Sequence, residues 1–245
     1  MATVPSRAKD VNNGFVESAR ADGQDNIAWL RAQWKTAGVG ILLLGGTALV
    51  DFRLRVAQSH LRDDLTPSHW SHVALLGVGD VGNPESAPLF EISLLPPAGF
   101  GMPAASNGVQ QGTLGRYANV KEWPNIAVLY LPPSIDRQKC MEALERFRKQ
   151  RVVLDAVQLT LAWLGYVWGV GRAANPLLDG MGIPSAAMLE VVTGALGFDL
   201  TPGLESRASC PEAIWQSARW WHDYHDQSKA GALTGAFHTS HYLPN

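Results

Sequence analysis

The sequence predicts an α+β fold, and three observations support that prediction. Short apolar runs typical of strands fill the first half of the chain, and segments with a helical spacing of apolar residues fill the second half. Strands first and helices second favour α+β over an alternating α/β order. Hydrophobic residues make up 46% of the 245 residues, and the sequence contains no internal repeat. We therefore expect one large domain.

The first half is predicted to follow a loose N-terminal arm, residues 1–24. The first helix lies within 24–38, with Asp25 or Asn26 as its N-cap and Gly38 at its end. A second stretch with helical spacing covers 47–66. The predicted strands are 39–44, 71–78, 89–94 and 125–131, and the glycine- and serine-rich residues 96–116 are predicted to form a loop.

The second half is predicted to be helical. The predicted helices cover 134–150, 152–169, 185–198 and 209–227. Ser185 is the expected N-cap of the third of these helices. Residues 228–245 form a C-terminal tail, so the domain itself is expected to span 25–227.

Composition argues against several classes of protein. The net charge of -2 and the lack of a lysine and arginine cluster give no electrostatic basis for binding nucleic acid. The N-terminus has no apolar stretch of the kind found in secretory signals. The longest apolar run, 39–50, is too short to cross a bilayer and is interrupted by Gly45 and Gly46. With only two cysteines we expect no disulfide framework and a cytoplasmic location, although a protein exported by a dedicated machine would have the same composition.

A dinucleotide motif is present only in part. Residues 77–82, GVGDVG, match G-x-G-x-x-G and follow a predicted strand. A dinucleotide site also needs a helix that begins directly after the glycines and holds the pyrophosphate at its N-terminus. The sequence that follows, NPESAP at 83–88, does not start a helix promptly. We therefore predict a glycine-rich hairpin turn and no cofactor.

Zinc is the alternative that the histidines suggest. Six of the seven histidines fall in H-x-x-H pairs, which are His69/His72, His222/His225 and His238/His241. Two histidines three apart on a helix share a face and can chelate a metal. No carboxylate at the spacing of H-E-x-x-H accompanies them, and imidazoles near a helix C-terminus also suit the helix dipole. We therefore expect no metal.

Cys210 lies where the last predicted helix begins, in SCPEAIW at 209–215. Either Ser209 caps the helix and Glu212 completes a capping box, or Cys210 is the cap and Pro211 the first helical residue. In both cases the thiol lies in the first turn, where the helix dipole and free N–H groups lower a thiol pKa. The same N–H groups can stabilise an oxyanion. Cys210 is therefore a candidate nucleophile that needs a base.

His72 and Glu91 offer a base and a residue to orient it. If 71–77 is a strand, His72 begins it and shares a face with Ala74 and Leu76. Glu91 lies on the next predicted strand, where a buried carboxylate without a partner is costly. A His72–Glu91 pair on neighbouring strands accounts for this carboxylate and orients the imidazole. The alternative is that Glu91 faces water on a half-exposed sheet.

The order of these motifs resembles the circularly permuted papain-like cysteine hydrolases, the YiiX-like relatives of NlpC-type cell-wall peptidases and lecithin retinol acyltransferases. In the permuted group the histidine strand precedes the cysteine helix. The matching motifs are GVGILLLGG at 38–46, SHVAL at 71–75, FE at 90–91 and SCPEAIW at 209–215, so the resemblance covers 38–225. Val39 departs from the acidic residue of the family, and residues 169–206 are an insertion relative to it.

The resemblance implies a permuted papain-like fold, in which an antiparallel sheet packs against helices and the nucleophile opens a helix. It implies Cys210 as the nucleophile, His72 as the base and Glu91 as the third polar residue. Tyr166 only weakly matches the tyrosine-containing turn that precedes the cysteine in the family.

The resemblance further implies a cysteine-dependent hydrolase or acyltransferase that cleaves an amide or ester bond through a thioester acyl-enzyme. The substrate would be a peptide, a peptidoglycan peptide or a lipid acyl group. The alternative is a catalytically inactive papain-like domain that serves as a binding or assembly subunit, with protein partners docked through the arm 1–24 or the tail 228–245.

Overall fold

The structure is a computed structural model that describes residues 15–34, 39–77, 84–94, 106–150, 156–169, 173–226 and 233–240, with the side chains of the last helix described as far as Trp220. The glycine-rich turn predicted at 77–82 lies outside the described residues beyond Gly77. So does most of the predicted arm, up to residue 14.

Seven strands in the described part of the chain form one sheet. They are β1 (Phe15–Glu17), β2 (Gly40–Gly45), β3 (His72–Leu76), β4 (Pro88–Glu91), β5 (Gln110–Thr113), β6 (Asn125–Tyr130) and β7 (Thr234–His238). Their order across the sheet is β1-β7-β6-β2-β3-β4-β5. Neighbouring strands are antiparallel except β1 and β7, which run parallel.

The sheet is therefore mixed, which corrects the expectation of a purely antiparallel sheet. The parallel pair is built from β1 and β7, which come from the segments predicted as a loose arm and a tail. These two strands are only three and five residues long, too short to show the alternation that marks a strand. Those parts of the arm and the tail belong to the sheet.

Six α-helices are found among the described residues, and they confirm the α+β class. They are α1 (Asn26–Gln33), α2 (Leu49–Ala57), α3 (Arg137–Lys149), α4 (Ala156–Val167), α5 (Pro184–Gly194) and α6 (Pro211–Asp226). Asp25 caps α1 as predicted, because its side chain accepts a hydrogen bond from the backbone N–H of Ala28 at 2.7 Å.

The prediction that Ser185 caps α5 is wrong. The helix begins at Pro184, whose fixed φ suits the first helical position. The Ser185 hydroxyl instead donates to the carbonyl of Val73 at 2.5 Å and accepts from the backbone N–H of Ile92 at 3.2 Å. The serine thus fastens α5 to β3 and to the end of β4.

The sheet separates two apolar layers. On one face, Val73 and Leu75 of β3 pack with apolar side chains of α2 to α6. On the other face, Ala74 and Leu76 pack with α1 and with Tyr117. Because β2, β3 and β6 are covered on both faces, they read as continuous apolar runs, which is why the sequence predicted them well. Functional residues on the same face of the sheet can contact each other directly, whereas the sheet separates residues on opposite faces.

Candidate active site

His72 is the first residue of β3 and Glu91 is the last residue of β4. The Nε2 atom of His72 lies 2.6 Å from Oε2 of Glu91. Both side chains are buried, 8% and 1% exposed, on the sheet face of Ala74. The two residues are therefore paired, and Glu91 does not face water.

Three donors surround the carboxylate of Glu91. Besides His72, Nη1 of Arg116 lies 2.7 Å from Oε1, and the hydroxyl of Tyr117 donates to Oε2. Burial raises the pKa of Glu91, but the hydrogen bonds from His72 and Tyr117 and the charge of Arg116 outweigh it and hold the pKa below its ordinary value. The carboxylate is ionised near neutral pH and accepts from all three groups. The proton of the neutral His72 ring is therefore on Nε2.

The second ring nitrogen of His72, Nδ1, is available for chemistry. With Nε2 protonated, Nδ1 of the neutral imidazole carries a lone pair. No group in the described part of the chain hydrogen bonds to Nδ1, and His72 lines a cavity. General base catalysis needs a ring whose orientation is fixed by a hydrogen bond at one nitrogen and whose other nitrogen is accessible to the reacting group.

The cavity has a volume of about 310 Å³ and lies at the end of the sheet where β3 begins. Its polar groups gather around His72 and include Arg116 and Tyr117. Its apolar walls are formed by Val50, Leu54, Ile92, Leu94, Trp123 and Ile183. Apolar walls around a few convergent polar groups are typical of a small-molecule or acyl-group site.

Two carboxyl groups line the cavity, those of Asp51 and Glu122, and Asp51 is the one in contact with Ser71, the residue before His72. Asp51, in the first turn of α2, accepts a hydrogen bond from the Ser71 hydroxyl at 2.7 Å. Burial raises the pKa of Asp51, and the hydrogen bond from Ser71 and the charge of His72 offset this only in part. Ser71 in turn accepts from the backbone N–H of Gly46 at 3.1 Å. These contacts fix the N-terminus of α2 beside His72.

Cys210 lies directly before α6, whose first residue is Pro211. Of the two capping alternatives, the structure therefore has Cys210 at the cap and Pro211 at the first helical position. The capping box is not formed, because the Glu212 carboxylate accepts a hydrogen bond from the Ser68 hydroxyl at 2.6 Å. The thiol does lie in the first turn of a helix, as predicted.

The Cys210 thiol is buried in the apolar layer on the sheet face opposite to His72. It is 0% exposed and does not line the His72 cavity, and the described contacts include no hydrogen bond between the two residues. Burial raises the pKa of Cys210 to about 12, although the N–H groups of Ala213 and Glu212 lower it. The structure thus brings His72 and Glu91 together and leaves Cys210 apart. The role of Cys210 stays a prediction.

A backbone hydrogen bond nevertheless connects the residue before Cys210 to the cavity wall. The carbonyl of Ser209 accepts a hydrogen bond from the backbone N–H of Ile183 at 2.9 Å. Ile183 itself lines the cavity. The residue before Cys210 is therefore one hydrogen bond away from the wall of the His72 cavity.

The other predicted candidates lie elsewhere. The carbonyl of His69 accepts from the Asn125 side chain at 2.9 Å, and its ring packs edge-on against Trp70, outside the cavity. The described residues contain no group of three His, Cys, Asp or Glu that could hold a metal ion. The side chains of His222 and His225, and all of His241, lie outside the described part of the chain.

Sequence reasoning missed Arg116, Tyr117, Asp51 and Ser71. Arg116 and Tyr117 follow a short edge strand inside the predicted glycine-rich loop, where no periodicity marks them. Asp51 had a usable signal, because an acidic residue in the first turn of a helix interacts favourably with the helix dipole. Tyr166, weakly suggested by the resemblance, packs edge-on against Trp163 and does not line the cavity.

The fold and the site define an α+β protein with an oriented His–Glu pair that opens on an apolar cavity. No protein-family model matches the chain, and no curated protein or solved structure shows significant similarity to it. The resemblance to permuted papain-like hydrolases therefore rests on the short motifs alone. No helix in the described residues is long and apolar enough to cross a membrane.

Proposed function

We propose that this protein is a hydrolase or acyltransferase that cleaves an amide or ester bond, with His72 as the general base, Glu91 as the residue that orients it and Cys210 as the nucleophile. The substrate is a peptide, a peptidoglycan peptide or a lipid acyl group. The observation that carries the proposal is the hydrogen bond of 2.6 Å between His72 Nε2 and Glu91, which leaves Nδ1 open to the cavity.

The pair supports proton transfer in both directions. His72 Nδ1 accepts a proton from the nucleophile, and the ionised Glu91 stabilises the resulting imidazolium. The imidazolium then returns the proton to the amine or alcohol that leaves. Arg116 and Tyr117 hold Glu91 in place.

The assignment of Cys210 rests on the resemblance and on its position in the first turn of α6. In the catalytic state the thiol has to pass beside Ile183 into the cavity and meet His72 Nδ1. There it gives up its proton, and the thiolate attacks the carbonyl carbon. The C–N or C–O bond breaks as a thioester forms, and water or another acceptor then cleaves the thioester and regenerates the thiol.

A second candidate function is binding without catalysis, and the environment of Cys210 supports it. The burial of Cys210 and its pKa of about 12 suit a domain that binds without catalysis. In that case the His72 cavity is a binding pocket, and the protein is a binding or assembly subunit related to papain-like enzymes.

Substitution of His72 and of Cys210 separates these functions. We expect turnover of nitrophenyl esters or fluorogenic peptide amides by the parent, and a loss of about 10²-fold or more in kcat/KM for both His72→Asn and Cys210→Ala. Cys140→Ala is the matched control, because Cys140 is also a buried cysteine, 1% exposed, and lies on α3 away from the cavity. Its turnover should equal that of the parent.

Two results would contradict the assignment in different ways. Full turnover by Cys210→Ala with loss in His72→Asn would keep His72 as the base and make water the nucleophile. A parent without turnover, whose cavity still binds an acyl or peptide ligand in calorimetry, would favour the binding subunit.

A further inference from the structure

Glu190 is a buried carboxyl group that the proposed mechanism does not use. It lies on α5, and its residue is 3% exposed. A buried carboxyl group costs free energy unless hydrogen bonds compensate it. Its Oε1 atom accepts from the hydroxyl of Thr201 at 2.6 Å and from the hydroxyl of Ser209 at 3.2 Å. Both partners belong to the connection between α5 and α6.

The carboxyl group ties together the two ends of one surface segment. Thr201 and Ser209 are buried, 2% and 0% exposed, whereas residues 202–207 between them are exposed. Glu190 thus forms hydrogen bonds from the protein interior to both ends of this exposed segment. Ser209 is the residue directly before Cys210, so the same contact fixes the start of α6.

The backbone of this segment is fixed against the cavity wall. The N–H groups of Gly182 and Ile183 donate to the carbonyls of Arg207 and Ser209 at 2.6 and 2.9 Å. The approach is so close that a Cβ atom at Gly182 would lie 2.2 Å from the Ser209 carbonyl oxygen. Ser209 is therefore held by its backbone to the cavity wall and by its side chain to Glu190.

We propose that Glu190 is a positioning residue for Cys210, and that its ionisation releases the Thr201–Ser209 segment and gives the thiol access to the outside and to the His72 cavity. The catalytic meaning of this proposal rests on the proposed function, in which Cys210 is the nucleophile. The movement itself does not depend on catalysis.

The charges around Glu190 determine the direction of the effect. Burial raises the pKa of Glu190 to about 7, the hydroxyls of Thr201 and Ser209 lower it, and the negative charge of Asp199 raises it. The neutral acid suits the closed segment. The carboxylate is poorly hydrated there, so ionisation favours the open segment, where water reaches it. The thiols on α3 and before α6 stay neutral across this range, because burial raises the pKa of Cys140 to about 11 and of Cys210 to about 12.

Alkylation of Cys210 by iodoacetamide tests the proposal. In a Cys140→Ala background Cys210 is the only thiol, and mass spectrometry gives its labelling rate. The rate in this background is divided by the rate with Glu190→Gln added, which cancels the ionisation of the thiol itself. If the carboxyl group regains its ordinary pKa of 4.5 in the open segment, this ratio should rise about tenfold between pH 6 and pH 8 and then level off. A ratio that stays constant over this range would overturn the proposal.

A second variant covers the case in which Glu190→Gln does not fold. Ser209→Ala removes only the hydroxyl that contacts Glu190, and we expect labelling at pH 6 to rise about threefold to tenfold. Thr193→Val is the matched control, since this hydroxyl of α5 bonds to the carbonyl of Leu189 within the helix at 3.0 Å. Its labelling should stay within about twofold of the parent. Labelling of Ser209→Ala at the parent rate would contradict the proposal.

Labelling and turnover report on different claims. A pH step in labelling without turnover of any substrate would contradict only the proposed function. Turnover that depends on Cys210, together with a constant labelling ratio, would contradict only the role of Glu190.

Discussion

Glu91 shows how one buried residue stays charged and organises a site. Its carboxylate is almost fully buried, and such a group ordinarily takes up a proton. Here Arg116 supplies a full positive charge, and His72 and Tyr117 supply hydrogen bonds. The ionised carboxylate in turn fixes the tautomer of His72. The position of the proton on the His72 ring, and with it the lone pair at Nδ1, therefore depends on a residue that does not line the cavity.

We expect Glu91→Gln to destabilise the protein by about 3 kcal/mol at pH 7, because it removes the partner of the partly buried Arg116 charge. The pKa of Glu91 is lower in the folded than in the unfolded chain, so its contribution is fully present above the ordinary value of 4.5 and is lost as the pH falls below that value. The difference between parent and variant should therefore shrink towards pH 3. Urea denaturation at pH 7, 5 and 3 measures it.

Glu85→Gln is the control for this prediction. Glu85 also pairs with an arginine, Arg31, at 2.8 Å, but both side chains are about half exposed, 52% and 55%. Exposed ion pairs contribute at most about 1 kcal/mol. An equal loss in the two variants would show that the burial of Glu91 does not matter.

At the scale of elements, the turn between β2 and α2 brings several chain segments together behind the cavity. A Cβ atom at Gly45 would lie 1.9 Å from the carbonyl oxygen of His69, and one at Gly46 would lie 2.3 Å from Oδ2 of Asp51. At Gly45 the neighbour is a backbone carbonyl, so only glycine permits the approach, whereas at Gly46 a side chain would have to move the Asp51 carboxylate. The glycine pair therefore sets the distance between the end of β2, the entry to β3 and the first turn of α2.

We expect Gly45→Ala to destabilise the protein by about 3 kcal/mol, since the atom it meets is a backbone carbonyl that cannot rotate away. Gly194→Ala is the matched control, because it ends α5 with nothing within 4 Å of the new methyl group. There alanine should stabilise the helix by about 0.5 kcal/mol. Thermal unfolding followed by circular dichroism compares the two. Equal melting temperatures would contradict the close approach at Gly45.

The elements that the sequence predicted are those whose local pattern of apolar residues identifies them without knowledge of their neighbours. The central strands β2, β3 and β6 are apolar apart from His72 and Asn125 at the start of β3 and β6, and α3 has its buried residues at helical spacing, so the local pattern is sufficient. The edge strand β5 has the sequence QQGT and is partly exposed, so nothing local distinguishes it from a loop. Its position follows from pairing with β4, which is a tertiary contact.

At the scale of the whole molecule, the predicted site also divides into a part that follows from local pattern and a part that depends on tertiary contacts. The first part is the His72–Glu91 pair, and the second is Cys210. His72 and Glu91 lie on neighbouring antiparallel strands, and once Leu76 pairs with Leu89 the alternation of side chains places them on one face. Whether Cys210 joins them depends on which face of the sheet α6 covers. No local pattern encodes that choice, because α6 buries apolar residues on either face equally well. The structure puts α6 on the opposite face from His72.

The two ends of the described chain close one edge of the sheet, so the fold should depend on residues near the N-terminus. Phe15 of β1 is 8% exposed and packs edge-on against Trp215 of α6, 5.9 Å between ring centres. The backbone N–H of Ser18 donates to the carbonyl of Phe237 at 2.9 Å, which continues the pairing beyond β1. We therefore expect Phe15→Ala to cost about 3 kcal/mol in the free energy of unfolding.

Val16→Ala is the control that distinguishes a stabilising role of β1 from the behaviour of a loose arm. Val16 lies next to Phe15 on the same strand but is 60% exposed, so its truncation should change stability by less than about 0.5 kcal/mol. Urea denaturation, followed by the fluorescence of the tryptophans, measures both variants under one condition. If residues 15–17 formed no part of the fold, the two truncations would be equally neutral. A clear loss for Phe15→Ala alone means that β1 supports α6, and with it the segment that contains Cys210.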